Sequence, residues 1–491
     1  MLAFPGAWRA WRARLAVVGL VGAALVVLTT RPAMAEPDTR SSPDTTDPFG
    51  YLRADRMNLP AGAYRAAFAH KIPSFSRQTK LACSACHYGF PELTPFGRLF
   101  KLNGYTLTAL PTIVGGDSVR QTLELAPIPP ASAMVITSLT HLKTTLPETQ
   151  NDATAFPEQL SLFLGGQVTP KVGAFTQLTY AADAGTVGID NTEFRFADHG
   201  TLGGKQVIYG VTLNNNPSMQ DLWNTTPAWG FPFAASSVAP SPAAGTQVEG
   251  ALAQQVVGLG AYAMWDQTLY AEFTTYRTAQ QGVAPPPGPT TSNANRGVIP
   301  YWRLAVQRTF GPNYLMVGTY GLAATLYPTG VSQFTNRFTD VGVDAQYERT
   351  LGKGVLIART TYLHERQSLA GLIETAGDAP LPNPTNALNE FRINASYVAT
   401  PRFTFTAGYF TTSGTRDTAL FAPAPVTGSV NGSPSSSGGI GEVDFNAWLN
   451  TRLGAQYILY NKFNGASNAY DGAGRNASGN NTLYLFLWVA F

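Results

Sequence analysis

From about residue 132 to the end of this 491-residue chain, apolar and polar side chains alternate with a period of two. Successive side chains of a strand point to opposite faces, so Val341, Val343, Ala345 and Tyr347 share one face while Gly342, Asp344, Gln346 and Glu348 share the other. The same division separates Phe391, Ile393, Ala395 and Tyr397 from Arg392, Asn394 and Ser396, and Trp302, Leu304 and Val306 from Arg303, Ala305 and Gln307. It recurs with Leu269, Ala271 and Phe273 against Tyr270, Glu272 and Thr274, and with Leu453, Ala455, Tyr457 and Leu459 against Arg452, Gly454 and Gln456. Strands with one apolar and one polar face build either a soluble sandwich or a membrane barrel.

The connections choose between the two. Short links at Thr169-Pro-Lys171, Asp266-Gln267, Gly311-Pro-Asn313, Gly352-Lys-Gly354 and Thr400-Pro401 alternate with long ones near 144–156, 214–249, 278–298, 367–386, 413–440 and 464–480. Short turns on one side and long loops on the other are the asymmetry of outer-membrane barrels. Strands are expected to start near 132, 157, 172, 190, 205, 252, 267, 299, 313, 337, 355, 388, 402, 441, 450 and 481, an even count of sixteen. In the last of them Leu483, Leu485, Leu487, Val489 and Phe491 share one face, and the final residue is aromatic, as in strands recognised by the outer-membrane assembly machinery. Tyr484, Phe486 and Trp488 form the other face, which suits a packed lumen better than an open channel. The fold class expected is an all-β transmembrane barrel of about 16 antiparallel strands with a small, mostly helical or irregular N-terminal domain as its plug. The 214–249 loop, with Trp223 and Trp229, either folds into the pore or stays on the surface.

The N-terminus carries Arg9, Arg12 and Arg14, an apolar run from Leu15 to Leu28, and Ala33-Met-Ala35 before Glu36. A basic segment, a short apolar run and an Ala-x-Ala end read as a secretory signal at 1–35, cleaved after Ala35. The run falls short of the ~18 apolar residues of a spanning helix. Removing it takes four arginines and no acid from a chain with 33 basic and 30 acidic residues, leaving near neutrality and no basic field for nucleic acid. Charged residues are 13% of the chain, about half the globular norm of roughly 25%, against a cytoplasmic enzyme.

The chain's two cysteines both fall in Cys83-Ser-Ala-Cys86-His87. In Cys-x-x-Cys-His the thiols bond to the vinyl groups of a haem and the histidine takes one axial position on its iron. A disulfide framework needs more cysteines, and zinc needs two further ligands close by. One covalent haem c at Cys83, Cys86 and His87 is therefore expected, in a domain spanning 36–131, with the barrel over 132–491. Thr94 can cap a helix that begins at Pro95 and ends at Asn103-Gly104, carrying Phe96, Leu99 and Phe100. Arg77, Arg98 and Lys101 are candidates to neutralise haem propionates, or else are solvated cations.

The stretch Pro73-Ser-Phe75-Ser-Arg77-Gln-Thr79, followed by Cys83-x-x-Cys86-His87, Phe90-Pro-x-Leu-Thr-Pro-Phe-Gly-Arg98 and Lys101-Leu-x-Gly-Tyr-Thr-Leu107, resembles the fused cytochrome-porin iron oxidases. The resemblance is sharp over about 72–107 and architectural beyond. Ser76 and Lys80 stand where the family pattern leads one to expect Ala and Gly. What the resemblance implies is an outer-membrane monohaem cytochrome of a Gram-negative bacterium, its haem domain in the barrel lumen. It would accept electrons from extracellular Fe(II) and pass them to a periplasmic cytochrome or copper protein. Another external donor or acceptor, or a diffusion porin with a structural haem, are the competing readings.

For the second axial ligand, methionine raises the potential and favours taking electrons from Fe(II), which points to Met134 on the first strand. His141 is seven residues on and faces the opposite way; His70 and Met57 lie upstream, while His199 and His364 read as turn and strand-end residues. Glu272, Asp344 and Glu348, on polar faces, are candidates to guide cations or plain lumen charges.

Overall fold

In lipid, strands with one apolar face leave no unpaired edge only when the sheet curls and its last strand pairs with its first. In the computed structural model, which describes residues 73–108, 113–114, 124–125, 131–181, 185–230, 234–279, 294–328 and 331–491, this is what the chain does. The expected signal at 1–35, the following leader, His70, Met57 and most of the proline-rich 107–131 stretch lie outside the described residues.

The first half of the wall comprises Ala131–Leu142 (β1), Ala153–Thr169 (β2), Val172–Ala181 (β3), Thr186–Leu202 (β4), Lys205–Asn214 (β5), Val256–Trp265 (β6), Leu269–Thr278 (β7) and Ile299–Phe310 (β8). The second comprises Asn313–Leu326 (β9), Asn336–Leu351 (β10), Gly354–Ser368 (β11), Thr385–Thr400 (β12), Phe403–Gly414 (β13), Ser436–Trp448 (β14), Thr451–Lys462 (β15) and Thr482–Ala490 (β16). Sequence neighbours pair antiparallel throughout, and β16 pairs with β1, placing Trp488 opposite Ile136. At the seam Ala133 and Phe491 exchange backbone hydrogen bonds of 2.7 and 2.9 Å.

The sixteen strands match the sixteen expected; four starts moved by four residues or more, β4 at 186 rather than 190 among them, and the other three have physical reasons. Strand β2 begins at 153 rather than 157, because Pro157 sits where the β1–β2 register shifts between Ile136 and Ser138. An irregularity in the ladder tolerates a residue without an N–H. Strand β14 begins at 436 because Ser436 and Ser437, loop-like in composition, are held by Thr412, Thr411 and Lys462. Strand β6 begins later than expected, at 256, since 247–251 forms a helical turn.

The apolar faces point out. Val341, Phe273, Leu304, Ile393 and Leu453 are exposed, whereas Asp344, Glu272, Arg303 and Arg359 on the alternate positions are buried. On β16 Tyr484 is 1% exposed and Trp488 9%, against 40% for Leu485, so the aromatic face is the inner one. A belt of apolar side chains outside a closed barrel is the arrangement lipid demands, since every backbone polar group is paired within the wall.

Among the described residues three short helices precede β1: Ser74–Thr79 (α1), Cys83–Cys86 (α2) and Pro95–Leu102 (α3). Sequence reading found the third alone. The Thr94 hydroxyl accepts from Gly97 N–H at 3.1 Å and Pro95 occupies the first turn of α3. Thr94→Ala removes that cap and is expected to cost about 1 kcal/mol, read as a lower denaturation midpoint of this segment.

Candidate functional site

Residues 73–108 lie against inward-facing groups of strands spread around the wall. Arg98 forms a buried ion pair with Glu348 of β10 at 2.6 Å, and Tyr88 donates to the same carboxylate at 2.7 Å. Glu92 pairs with Arg359 of β11. Tyr105 donates to Glu193 of β4 at 2.6 Å, Tyr262 of β6 donates to the Leu102 carbonyl at 2.7 Å, and Arg452 of β15 donates to the Phe90 carbonyl at 3.3 Å. Most of these partners lie toward the ends of strands joined by short turns, the periplasmic side by the general pattern. A buried pair that loses one member leaves an uncompensated charge costing ~3–5 kcal/mol. These contacts therefore fix the segment in place.

Within it, Cys83 and Cys86 are one helical turn apart on α2, half-buried and not joined to each other. His87 follows in extended conformation, and its Nδ1 lies 3.3 Å from the Pro91 carbonyl. A carbonyl only accepts, so Nδ1 carries the proton and Nε2 keeps its lone pair for a metal. Burial pulls His87 down to about 4 against the backbone hydrogen bonds that favour its charged form, which leaves the ring neutral. Adjacent side chains of extended backbone diverge. Tyr88 meets Arg98 at Glu348, while the His87 ring lies 5.4 Å from that of Phe90, itself stacked 5.5 Å from Trp488.

Helix α3 crosses directly over this turn. A Cβ at Gly97 would stand 2.2 Å from the Cys86 carbonyl oxygen and 3.1 Å from Leu93, so only glycine lets the helix approach. Gly97→Ala is expected to push α3 off the cysteine turn and to lower covalent haem per chain well below wild type, measured by haem staining.

The cofactor residues named from sequence are distributed as follows. Cys83, Cys86 and His87 come together; Arg98 does not join them, its guanidinium being engaged by Glu348, the Leu93 carbonyl at 3.1 Å and the Tyr314 ring. Arg77 donates to the Ala131 carbonyl, and Lys101 to that of Met219. Met134 is buried on the inner face of β1, in one cluster with Trp488 and Phe486. His141 faces outward, 48% exposed and ion-paired with Asp152, and so cannot reach a site inside the wall. Glu272, Asp344 and Glu348 do face inward but are bonded to Tyr270, Arg303 and Arg98. Among the described residues no group of three or more His, Cys, Asp or Glu side chains is placed to hold a metal ion.

Sequence reasoning left the 214–249 loop undecided; the described residues between β5 and β6 turn inward. Trp223 is buried, its indole N–H donating to Tyr314 at 2.6 Å. Asp221 accepts backbone N–H bonds from Trp223, Thr225 and Thr226 at 2.7–2.8 Å and lies 3.3 Å from Arg303, which pairs with Asp344. Asn224 accepts from Leu93 N–H at 3.1 Å, tying the loop to the cysteine segment. Further along, the N–H groups of Thr246, Gln247 and Val248 donate to Glu390, Glu365 and Asp340 at 2.7–2.8 Å. An uninterrupted sixteen-strand barrel encloses a water channel; here a loop and the cysteine segment occupy its interior.

The wall defines a closed, sixteen-strand antiparallel transmembrane β-barrel with an apolar exterior. No family model and no curated protein matches the chain. Solved structures similar to it include OmpF of Salmonella typhi in complex with daunomycin, 11% identical with a TM-score of 0.43, covering 74% of this chain and 97% of that one. The outer membrane channel DcaP of Acinetobacter baumannii is 11% identical with a TM-score of 0.41, over 74% and 96%. In-vitro folded OmpT of Vibrio cholerae is 11% identical with a TM-score of 0.40, over 74% and 96%.

Proposed function

We propose that this protein is an outer-membrane c-type cytochrome that oxidises extracellular Fe(II) and delivers the electron to a periplasmic cytochrome or copper protein. The observation that carries the reading is the Cys83-x-x-Cys86-His87 turn, with its imidazole held in the ligand form, packed against the inner wall of a barrel. The haem it would bind supplies a one-electron couple, so each Fe(II) converted to Fe(III) outside reduces one carrier by one electron inside. The chain's residues supply the rest. His87 is oriented by the Pro91 carbonyl. The Arg98–Glu348 and Arg359–Glu92 pairs hold the segment against the wall, and the described part of the 215–255 loop fills the lumen beside it, with Trp223 edge-on to Tyr270. The likeness of residues 72–107 to the cytochrome-porin iron oxidases supports the same reading.

Met134, buried on the inner face of β1 in the cluster that holds Trp488, would be the second residue to hold the haem iron in this proposal. Met134→Leu keeps the volume of the buried side chain and is expected to abolish the absorption associated with methionine ligation and to lower the potential. Stopped-flow mixing of purified protein with Fe(II) tests the function itself: the haem should become ferrous, and a haem that stays ferric under excess Fe(II) rules iron out as donor. The strand number favours a second reading, a diffusion porin with a structural haem. It requires substantial conductance in planar bilayers, which the packed interior argues against.

A further inference from the structure

We propose that Arg452 and Trp488, on the last two strands of the barrel, form the subsite that binds the haem propionates; this rests on the reading that Cys83, Cys86 and His87 carry a haem. Both side chains are more than nine-tenths buried, and both hold a donor with no partner: Nε of Arg452 and the indole N–H of Trp488. Buried donors are almost always satisfied, because an orphaned one loses its hydration without compensation. The two residues stand opposite one another on neighbouring strands, the Arg452 guanidinium lying over the rings of Trp488 and Phe486 at 5.8 and 5.3 Å from their centres.

Their position ties them to the cofactor turn. Phe90 stacks on Trp488 and contacts the His87 ring, while the Phe90 carbonyl accepts from Arg452 Nη1 at 3.3 Å. A haem held by His87 brings two carboxylates into this part of the interior, and burying them requires cationic or N–H partners. The other cations near the segment are held by closer partners than the 3.3 and 3.7 Å contacts of Arg452. Arg98 and Arg359 pair with Glu348 and Glu92, and Arg77 donates to a backbone carbonyl. Arg452 forms an ion pair with Asp444 in which Nε stands 3.7 Å from the carboxylate, too long for a hydrogen bond. Glu442, the remaining acid of this patch, is bonded to the Gln456 amide instead. A planar guanidinium with an open Nε edge and an adjacent indole N–H is a fit donor set for a carboxylate.

The test uses the full-length protein with haem attached and two variants, Arg452→Gln and Trp488→Phe. The second keeps the ring on which Phe90 stacks and removes only the N–H. Because the thioether bonds are covalent, haem per chain should remain near wild type in both. The propionate-bending band in the resonance Raman spectrum should shift in both. The midpoint potential should fall, since a cation near the haem stabilises the reduced, more negative state. For Arg452→Gln a tenfold shift in the reduction equilibrium is expected, ~59 mV for a one-electron couple. Wild-type propionate bands and potentials in both variants would overturn the assignment while leaving the haem reading intact. Wild-type protein without covalent haem would remove the haem reading itself. If Arg452→Gln does not assemble a barrel, judged by heat-modifiable gel mobility, Trp488→Phe decides alone.

Discussion

Replacing Cys83 and Cys86 together by alanine is expected to eliminate covalent haem entirely, leave the barrel assembled, and reduce Fe(II)-dependent reduction of a periplasmic carrier to the uncatalysed background. The reason for separating these outcomes is structural. The wall closes through sixteen strand pairings that involve neither cysteine, and the segment is held to it by Arg98–Glu348, Glu92–Arg359 and Tyr105–Glu193, none of which uses a thiol. Haem staining after denaturing electrophoresis reads the attachment, gel mobility before and after heating reads the barrel, and carrier reduction reads the function. A variant that still reduced the carrier at the wild-type rate would defeat every electron-transfer reading, including those with a donor other than iron.

The second large effect concerns the loop. Asp221→Ala should raise single-channel conductance from near closure toward that of an open sixteen-strand pore, with excision of the loop giving a larger rise still. Asp221 gathers three backbone N–H groups and faces Arg303; without it those donors and part of the arginine's charge lose their partner inside a dry interior, a loss of ~3–5 kcal/mol by the measure of broken buried pairs. The pH dependence follows from the same geometry. Burial alone would raise the Asp221 carboxyl, but Arg303 and the N–H groups outweigh it and hold it below its ordinary value of 3.8. A group whose pKa is lowered on folding stabilises the fold above its unfolded value and loses that contribution as pH falls through the lowered one. The anchor is therefore expected to hold throughout the range above 3.8 and to weaken only in stronger acid, seen as conductance rising in the wild type below that range. Conductance that is unchanged in Asp221→Ala would mean that the loop does not close the pore.

How much of this was legible beforehand differs between wall and interior. The inner and outer faces of β7, β8, β10, β12 and β15 could be read residue by residue, because a period of two assigns every side chain to one face once any is assigned. What period cannot supply is register across non-neighbouring strands. Arg303 on β8 and Asp344 on β10 were both recognisable as polar-face residues, but their pairing spans β9, where Gly318 stands opposite Asp344. A Cβ at Gly318 would come within 2.5 Å of the Asp344 carboxylate, so the reach across β9 depends on a missing side chain. The contacts of the cysteine segment illustrate the same limit. Arg98 lies eleven positions from His87 yet turns to Glu348, while Arg452, far along the chain, sits against the Phe90 carbonyl.

The sequence by itself determined the closed sixteen-strand wall, its apolar outside, the single cysteine-histidine turn and the capped helix behind it, since all depend on spacing and pattern within one stretch of chain. Only the tertiary structure decided that the 215–255 loop turns inward, that His141 faces out while Met134 faces in, and that Arg452 and Trp488 stand beside the histidine turn. These depend on which distant residues the barrel's closure brings together. Contacts across a lumen are set by circumference and register, quantities that no local window of residues contains.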